Sequence, residues 1–132
     1  MQRISGGIVN EAVERFRRTG EHLGKCLVAL GWPSEEAALR ELAETLGIRY
    51  IDLSEERIDR AAAAGIPPEL INKARVIPVS LENDRLLLAM ENPFDFQTVE
   101  HIEILTGKRI DRAVCTESDL TSAMQTFYGH SV

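Results

Sequence analysis

The stretch Arg75–Gly107, RVIPVSLENDRLLLAMENPFDFQTVEHIEILTG, contains the pattern that decides the fold. Two apolar runs, Val76–Leu81 and Leu86–Met90, flank the polar connection Glu82–Arg85, which predicts an antiparallel hairpin. The second run does not alternate apolar with polar residues, so it predicts a strand covered on both faces in the middle of a sheet. Pro78 has no N–H to donate, so the first strand is expected either to lie at an edge of the sheet or to turn this position outward.

A helix is predicted directly after this hairpin. Asp95 is suited to cap its N-terminus, and Gly107 tolerates the positive φ that commonly ends a helix. Three apolar residues between them, Val99, Ile102 and Leu105, are expected to share its buried side. The hairpin and the helix together predict the centre of an α/β unit.

Shorter elements are predicted on both sides of this unit. They are a strand at Tyr50–Leu53, one or two helical turns within Ser54–Ala64, a helix at Glu69–Ala74 opened by two prolines, a strand at Arg109–Cys115, and a helix that begins at a capping box over Thr116–Asp119. The last helix carries its apolar residues on one side, at Leu120, Ala123, Met124 and Phe127. These elements predict a short sheet packed with helices.

The first part of the chain predicts three short amphipathic helices. After a loose segment, Met1–Gly7, Asn10 is suited to cap the first helix and Ser34 the third. Gly31 and Gly47 are expected to end the second and third helices. The apolar sides are Val9, Ala12, Val13 and Phe16, then Leu23, Cys26, Leu27 and Leu30, then Leu39, Leu42, Ala43 and Leu46.

The fold class that follows is α+β in two parts. None of the three helices can bury its apolar side alone, so we expect them to form a helical subdomain over residues 1–47. The remainder, residues 48–132, is predicted to be an α/β subdomain in which helices cover a short mixed sheet in two layers. At 132 residues with 44% hydrophobic content, the chain has room for one core or two small ones.

Composition and charge exclude several classes of function. The net charge of −6 argues against nucleic acid as the main partner, and no apolar run is long enough for direct membrane insertion. The charge is uneven: residues 1–25 hold five basic and three acidic groups, a balance of +2, which leaves −8 for the rest. Cys26 and Cys115 have no partner at metal-ligand spacing, so we expect two reduced, buried thiols of a cytosolic protein.

No motif predicts catalysis, a cofactor or a metal site. The three histidines, His22, His101 and His130, are dispersed and lie at no metal-ligand spacing. Gly107–Arg109 lacks both the upstream glycine and the Ser or Thr of a phosphate-binding loop. The scattered aspartates are best explained as helix caps and solvated charges. The residues therefore predict an α/β domain that is not an enzyme.

Six segments carry a family resemblance: Ile51–Ser54, Ile66–Leu70, Arg75–Val79, Arg85–Asp95, Leu105–Gly107 and Phe127–Gly129. Together they resemble the N-terminal domain of type II secretion and type IV pilus assembly ATPases. The resemblance implies a non-catalytic docking and regulatory module that precedes an ATPase core, which this sequence does not contain. The implied partner is the cytoplasmic domain of an inner-membrane assembly protein. The implied location is cytoplasmic, peripheral to the inner membrane through that partner.

The same family includes domains that bind cyclic di-GMP through a helical motif beginning Arg-Leu-Gly. A degenerate copy is similar to this motif, at His22, Leu23, Gly24, Leu27, Gly31 and Leu42. The resemblance implies that the glycines let the backbone approach the nucleotide and that the arginine contacts a base or a phosphate. Here His22 replaces the arginine, and Thr45 stands where a glutamine belongs. Sensing of cyclic di-GMP is therefore the alternative function, with weak binding expected.

The first helix provides the docking surface that we predict. The predicted docking residues are Val13, Arg15, Phe16, Arg17 and Arg18. Aromatic and arginine side chains often contribute most of the binding free energy at interfaces, and a positive segment beside a negative body is suited to orient an acidic partner. The alternative is that the apolar side chains pack inward on the other two helices and leave the arginines in solvent.

Overall fold

The computed structural model describes residues 6–19 and 23–128. The helical part consists of α1 (Gly6–Thr19), α2 (Leu23–Ala29) and α3 (Glu35–Leu46). The part that follows consists of β1 (Arg49–Tyr50), a 3₁₀ turn (Arg60–Ala63), α4 (Pro68–Ala74), β2 (Val76–Glu82), β3 (Arg85–Met90), α5 (Phe96–Thr106), β4 (Arg109–Val114) and α6 (Glu117–Tyr128). The fold is α+β, as predicted.

The strands form one mixed sheet in the order β1-β4-β3-β2. The predicted hairpin is confirmed, because β2 and β3 are antiparallel and Asn83 and Asp84 connect them. The strand β3 lies between two neighbours and pairs in parallel with β4 across α5, so the prediction of a central strand is also confirmed. The strand β2 lies at the edge, where Pro78 faces Leu88 and the register shifts before Ser80. The missing N–H of Pro78 is tolerated at this edge.

Two clusters of buried apolar residues hold these elements together. One surrounds the sheet and contains Leu86, Leu88 and Ile102. The other lies among α1, α2 and α3, and it also contains Val114 from the end of β4. Because Tyr50 of β1 packs against this second cluster, the three helices are seated against one end of the sheet. A boundary between subdomains at residue 47 stays a prediction.

The predicted helix ends are confirmed where a specific cap forms. Ser34 Oγ accepts a hydrogen bond from Ala37 N at 3.1 Å at the start of α3, and Asp95 Oδ1 accepts one from Thr98 N at 3.3 Å at the start of α5. Gly107 ends α5 with a φ of 69°, which an L-residue adopts only with strain.

Three expectations about local structure were wrong. Asn10 lies inside α1 rather than at its cap, and Gly7 already belongs to that helix. The strand expected over Tyr50–Leu53 is reduced to β1, because only Arg49 and Tyr50 pair with β4. By contrast, the one or two helical turns expected within 54–64 are confirmed by the 3₁₀ turn at Arg60–Ala63. Leu105 is 42% exposed, since steps of three residues turn back by about 60° each and move it away from the buried side of α5.

One ion pair joins the ends of three elements. Arg75 ends α4 in a left-handed conformation with a φ of 56°. Its Nε donates a hydrogen bond to Glu91, a buried residue just after β3. Its Nη2 donates to Thr121 Oγ1 of α6 at 2.7 Å and lies 3.9 Å from the Glu117 carboxylate. The guanidinium therefore links α4, β3 and α6.

Candidate functional sites on the helical part

The nucleotide-like motif lies mainly where α2 crosses α3. A Cβ added to Gly24 would meet Leu39 Cδ1 at 3.2 Å and Glu35 Cγ at 3.3 Å. This contact gives Gly24 a packing role, because the absent side chain lets α2 approach α3 closely. The Cα of Gly24 therefore faces a neighbouring helix of the same chain, and the approach of a nucleotide to this glycine stays a prediction.

The other motif positions are also used for packing. Leu23, Leu27 and Leu42 are buried in the helical cluster. Gly31 is exposed and lies in the turn after α2 with a φ of 120°, so among the motif residues that the structure describes it is the one with an open surface. His22 lies outside the described residues. Of the motif residues that are described, most are thus turned into the protein rather than toward a ligand.

The first helix separates apolar from basic side chains. Ala12 is buried, and Val13 and Phe16 are half-buried against the helical cluster. Arg17 and Arg18 are exposed at the end of the helix, where their charge also complements the helix dipole. The structure thus brings Val13 and Phe16 onto the protein's own core, as the alternative interpretation of this helix expected.

The basic residues of α1 differ in how far they reach into solvent. Arg17 lies 3.7 Å from Glu14, with both side chains about 70% exposed, so this pair contributes little to stability. Arg15 is half-buried, and its carbonyl accepts a hydrogen bond from Thr19 Oγ1 at 2.7 Å. Arg17 and Arg18 are therefore the parts of the predicted docking set that a partner could reach directly.

Tyr50 marks the junction between the helices and the sheet. Burial, with a further contribution from the Glu36 carboxylate, raises the pKa of Tyr50 to about 12. The Arg40 guanidinium lies 4.4 Å from the centroid of its ring and opposes this shift. Tyr50 is therefore neutral at physiological pH and serves as a packing contact rather than as an acid or a base.

Two carboxyl groups near the start of α6 have pKa values that move in opposite directions. Hydrogen bonds from the Ser54 side chain and backbone lower the pKa of Asp52. Burial, together with the charge of Asp52, raises the pKa of Asp119. Burial also raises the pKa of the Cys115 thiol, which keeps it protonated and unreactive. Within residues 6–19 and 23–128, no cluster of three His, Cys, Asp or Glu side chains is placed to hold a metal ion.

A groove of about 620 Å³ runs beside the first half of β4, and sequence reasoning missed it. Arg49, Arg85, Arg112, Leu87 and Asp111 are among its lining residues. Arg85 Nη1 donates to Asp111 Oδ1 at 2.6 Å, and Arg112 donates to a backbone carbonyl in the loop before α5. Two of the three arginines are thus committed to contacts within the protein. The groove arises because β1 is so short that it leaves this part of β4 uncovered.

None of the described helices combines the length and the apolar character that a membrane span requires.

The fold and the sequence both match N-terminal domains of secretion and pilus ATPases. A solved structure of MshE with cdg superposes with a TM-score of 0.73 and 27% sequence identity, over 95% of this chain and 91% of that one. The N-terminal domain of XpsE superposes with a TM-score of 0.67 and 21% identity, over 98% of this chain and 100% of that one. At that identity, the second match shows a shared fold.

The family follows from two further matches. The MshEN domain profile matches residues 46–132, a range that includes the whole part containing the sheet. The type IV pilus assembly ATPase PilB of Thermus thermophilus is 31% identical over 118 residues, covering 86% of this chain and 13% of PilB. The chain belongs to the MshEN domain family, and it spans a small fraction of the length of that relative.

Proposed function

We propose that this chain is a non-catalytic docking module for a type IV pilus or type II secretion ATPase. Its partner in this proposal is the cytoplasmic domain of an inner-membrane assembly component, which would hold the chain at the inner membrane. Membership of the MshEN domain family supports the assignment to this class of machine. The observation that carries the docking proposal is the pair of exposed arginines at the end of α1 in a chain of net charge −6.

The burial of the apolar side of α1 limits which of its side chains can contact a partner. Val13 and Phe16 use much of their surface on the helical cluster, so they add only their remaining exposed edges to an interface. The exposed Arg17 and Arg18 and the half-buried Arg15 supply the positive charge of this docking surface. Charge complementarity of this kind raises the rate of encounter and depends on salt. The proposal therefore requires an acidic surface on the partner.

A charge reversal tests this proposal. Changing Arg15, Arg17 and Arg18 together to Glu should abolish capture of the partner's cytoplasmic domain in a pull-down. Arg17 and Arg18 lie in the last turn of α1, where reversal costs up to about 1 kcal/mol for each charge through the helix dipole, so the fold should survive. A triple change of Arg15, Arg17 and Arg18 to Gln removes the attraction without adding repulsion and should weaken capture less.

The matched control reverses three exposed arginines elsewhere, Arg49, Arg57 and Arg109, and so changes the net charge by the same amount. Capture should persist in this control, apart from a small loss of long-range attraction. If the α1 variant still captures the partner, or if both triple variants lose capture equally, docking through α1 is refuted.

The second candidate function is the sensing of cyclic di-GMP. It is favoured by the similarity to the solved structure of MshE with cdg, cyclic di-GMP. The burial of Leu23, Gly24 and Leu27 leaves few motif groups for a ligand, so we expect a dissociation constant above about 10 µM, worth less than about 7 kcal/mol. His22→Arg restores the family's arginine and should tighten binding if the degenerate motif still forms a site.

A further inference from the structure

The outer face of α5 exposes apolar side chains that nothing in the described chain covers. Five large apolar side chains of the described residues are exposed, and three of them, Phe96, Ile104 and Leu105, lie on this one helix. Ile104 is 76% exposed and Phe96 is 57% exposed. A single exposed apolar residue needs no explanation, but a group of them on one helix indicates an interaction surface.

Phe96, Glu100 and Ile104 form a row of apolar, acidic and apolar side chains on this face. Residues four positions apart are neighbours on a helix, so Glu100 lies between the two apolar side chains, which are separated by about 12 Å along the axis. Arg112 lies 5.0 Å from the centroid of the Phe96 ring and holds that ring in place. Leu105 flanks the row on the other shoulder of the helix.

The charged side chains of α5 are acidic, and the helix also carries one exposed histidine, His101. The helix carries Glu100 and Glu103 and contains no Lys or Arg. Glu103 Oε2 accepts a hydrogen bond from Ile110 N at 3.3 Å, so that carboxylate is used within the fold. Glu100 is exposed and makes no ion pair with any residue in 6–19 or 23–128. It is therefore the charge that a partner would meet at the centre of the row.

The position of Glu100 argues against a second copy of this chain as the occupant. In an antiparallel pairing of α5 with itself, Phe96 of one copy would meet Ile104 of the other, and the two-fold axis would pass through residue 100. The two copies of Glu100 would then face each other, and like charges at the centre of an interface destabilise it. A partner with a basic residue at that place has the opposite charge and forms the ion pair instead.

We propose that the outer face of α5 docks an amphipathic helix of a partner protein, one that carries a basic residue between two apolar residues. The apolar side chains of the partner would cover Phe96 and Ile104, and the basic residue would pair with Glu100. This mode of recognition lays the apolar side of one helix against an apolar surface of the other protein. The surface lies on a different helix from the predicted α1 docking residues, so the proposal stands whether or not docking through α1 is correct.

Two synthetic helical peptides provide the probes. Both are alanine-rich and carry two leucines placed two turns apart, and they differ only in the residue midway between the leucines, which is Lys or Glu. Fluorescence anisotropy with the full chain should show that the Lys peptide binds at least about tenfold more tightly than the Glu peptide, which corresponds to about 1.4 kcal/mol. Glu100→Lys should reverse this preference.

Ile104→Asp should abolish binding of the Lys peptide without unfolding the protein, because the side chain is mostly in solvent. The matched control is Leu81→Asp, which changes another exposed apolar residue, 39% exposed on the edge strand β2, and should leave binding unchanged. Binding of neither peptide, or equal binding of both, overturns the proposal. So does a wild-type dimer in sedimentation that Ile104→Asp dissociates, since a second copy would then be the occupant.

Discussion

Removal of the Arg75 guanidinium should destabilise the fold more than its partly exposed position suggests. The Arg75 side chain is 33% exposed, whereas that of Glu91 is only 10% exposed. In Arg75→Ala the Glu91 carboxylate would stay buried without its main cation, and Thr121 would lose the donor at 2.7 Å. Loss of one partner of a buried pair costs about 3–5 kcal/mol. Because a third of the arginine already contacts water, we expect about 2 kcal/mol.

The backbone at this position allows the ion pair to be separated from strain. Arg75 has a φ of 56°, and a left-handed conformation costs a residue with a Cβ about 1–2 kcal/mol. Arg75→Gly loses the same guanidinium but relieves this strain. The glycine variant should therefore be more stable than the alanine variant by about 1 kcal/mol, although both are less stable than the wild type.

Urea unfolding followed by circular dichroism measures these differences, with an unchanged m-value as the condition for comparing midpoints. A double-mutant cycle with Glu91→Gln isolates the pair. The control is Arg85→Ala, which breaks the exposed pair with Asp111 and should cost no more than about 1 kcal/mol. If Arg75→Ala costs no more than this control, the ion pair does not join the three elements as described.

Three other predictions concern chemistry. The chain should show no saturable, magnesium-dependent ATP turnover in a phosphate-release assay, because its sequence has no phosphate-binding loop; measurable turnover would refute this. Cys26 and Cys115 are buried, so a thiol reagent should react slowly with the native protein. After denaturation in urea the same reagent should react rapidly with both thiols. Fast labelling of the native protein would contradict the burial. The raised pKa of Asp119 means that its carboxyl favours the folded state when protonated, and that this contribution is lost as the pH rises through that pKa. The Asp119→Asn variant cannot ionise at this position, so it should not lose stability in this way as the pH rises. Its urea midpoint minus that of the wild type should therefore increase from pH 3 to pH 7. If this difference stays constant, the raised pKa of Asp119 is contradicted.

Most of the architecture could be predicted because local signals agreed with the tertiary structure. Pro78 indicated an edge strand, and the unbroken apolar run after it indicated a central one, since both features follow directly from backbone hydrogen bonding and burial. Asp95 and Gly107 fixed the ends of α5 through caps that form within one turn of helix. These features are determined by residues close in sequence, so they could be predicted without knowing how distant segments pack.

The errors occurred where packing between distant segments decides the outcome. The length of β1 depends on how far residues 49–53 follow β4, which no local pattern specifies. The packing role of Gly24 could not be predicted either, because its close contact with Leu39 depends on how α2 crosses α3; nucleotide binding at this glycine stays a prediction. The exposure of Leu105 also depends on which side of α5 meets the sheet.

The docking account is tested most directly by titrating one preparation of the chain with two ligands in a calorimeter. The first ligand is the cytoplasmic domain of the inner-membrane assembly component, and the second is cyclic di-GMP. The account predicts saturable binding of the protein partner that weakens as salt is added, and a dissociation constant above about 10 µM for the nucleotide. Sub-micromolar binding of cyclic di-GMP, with no heat from the protein partner, would contradict it.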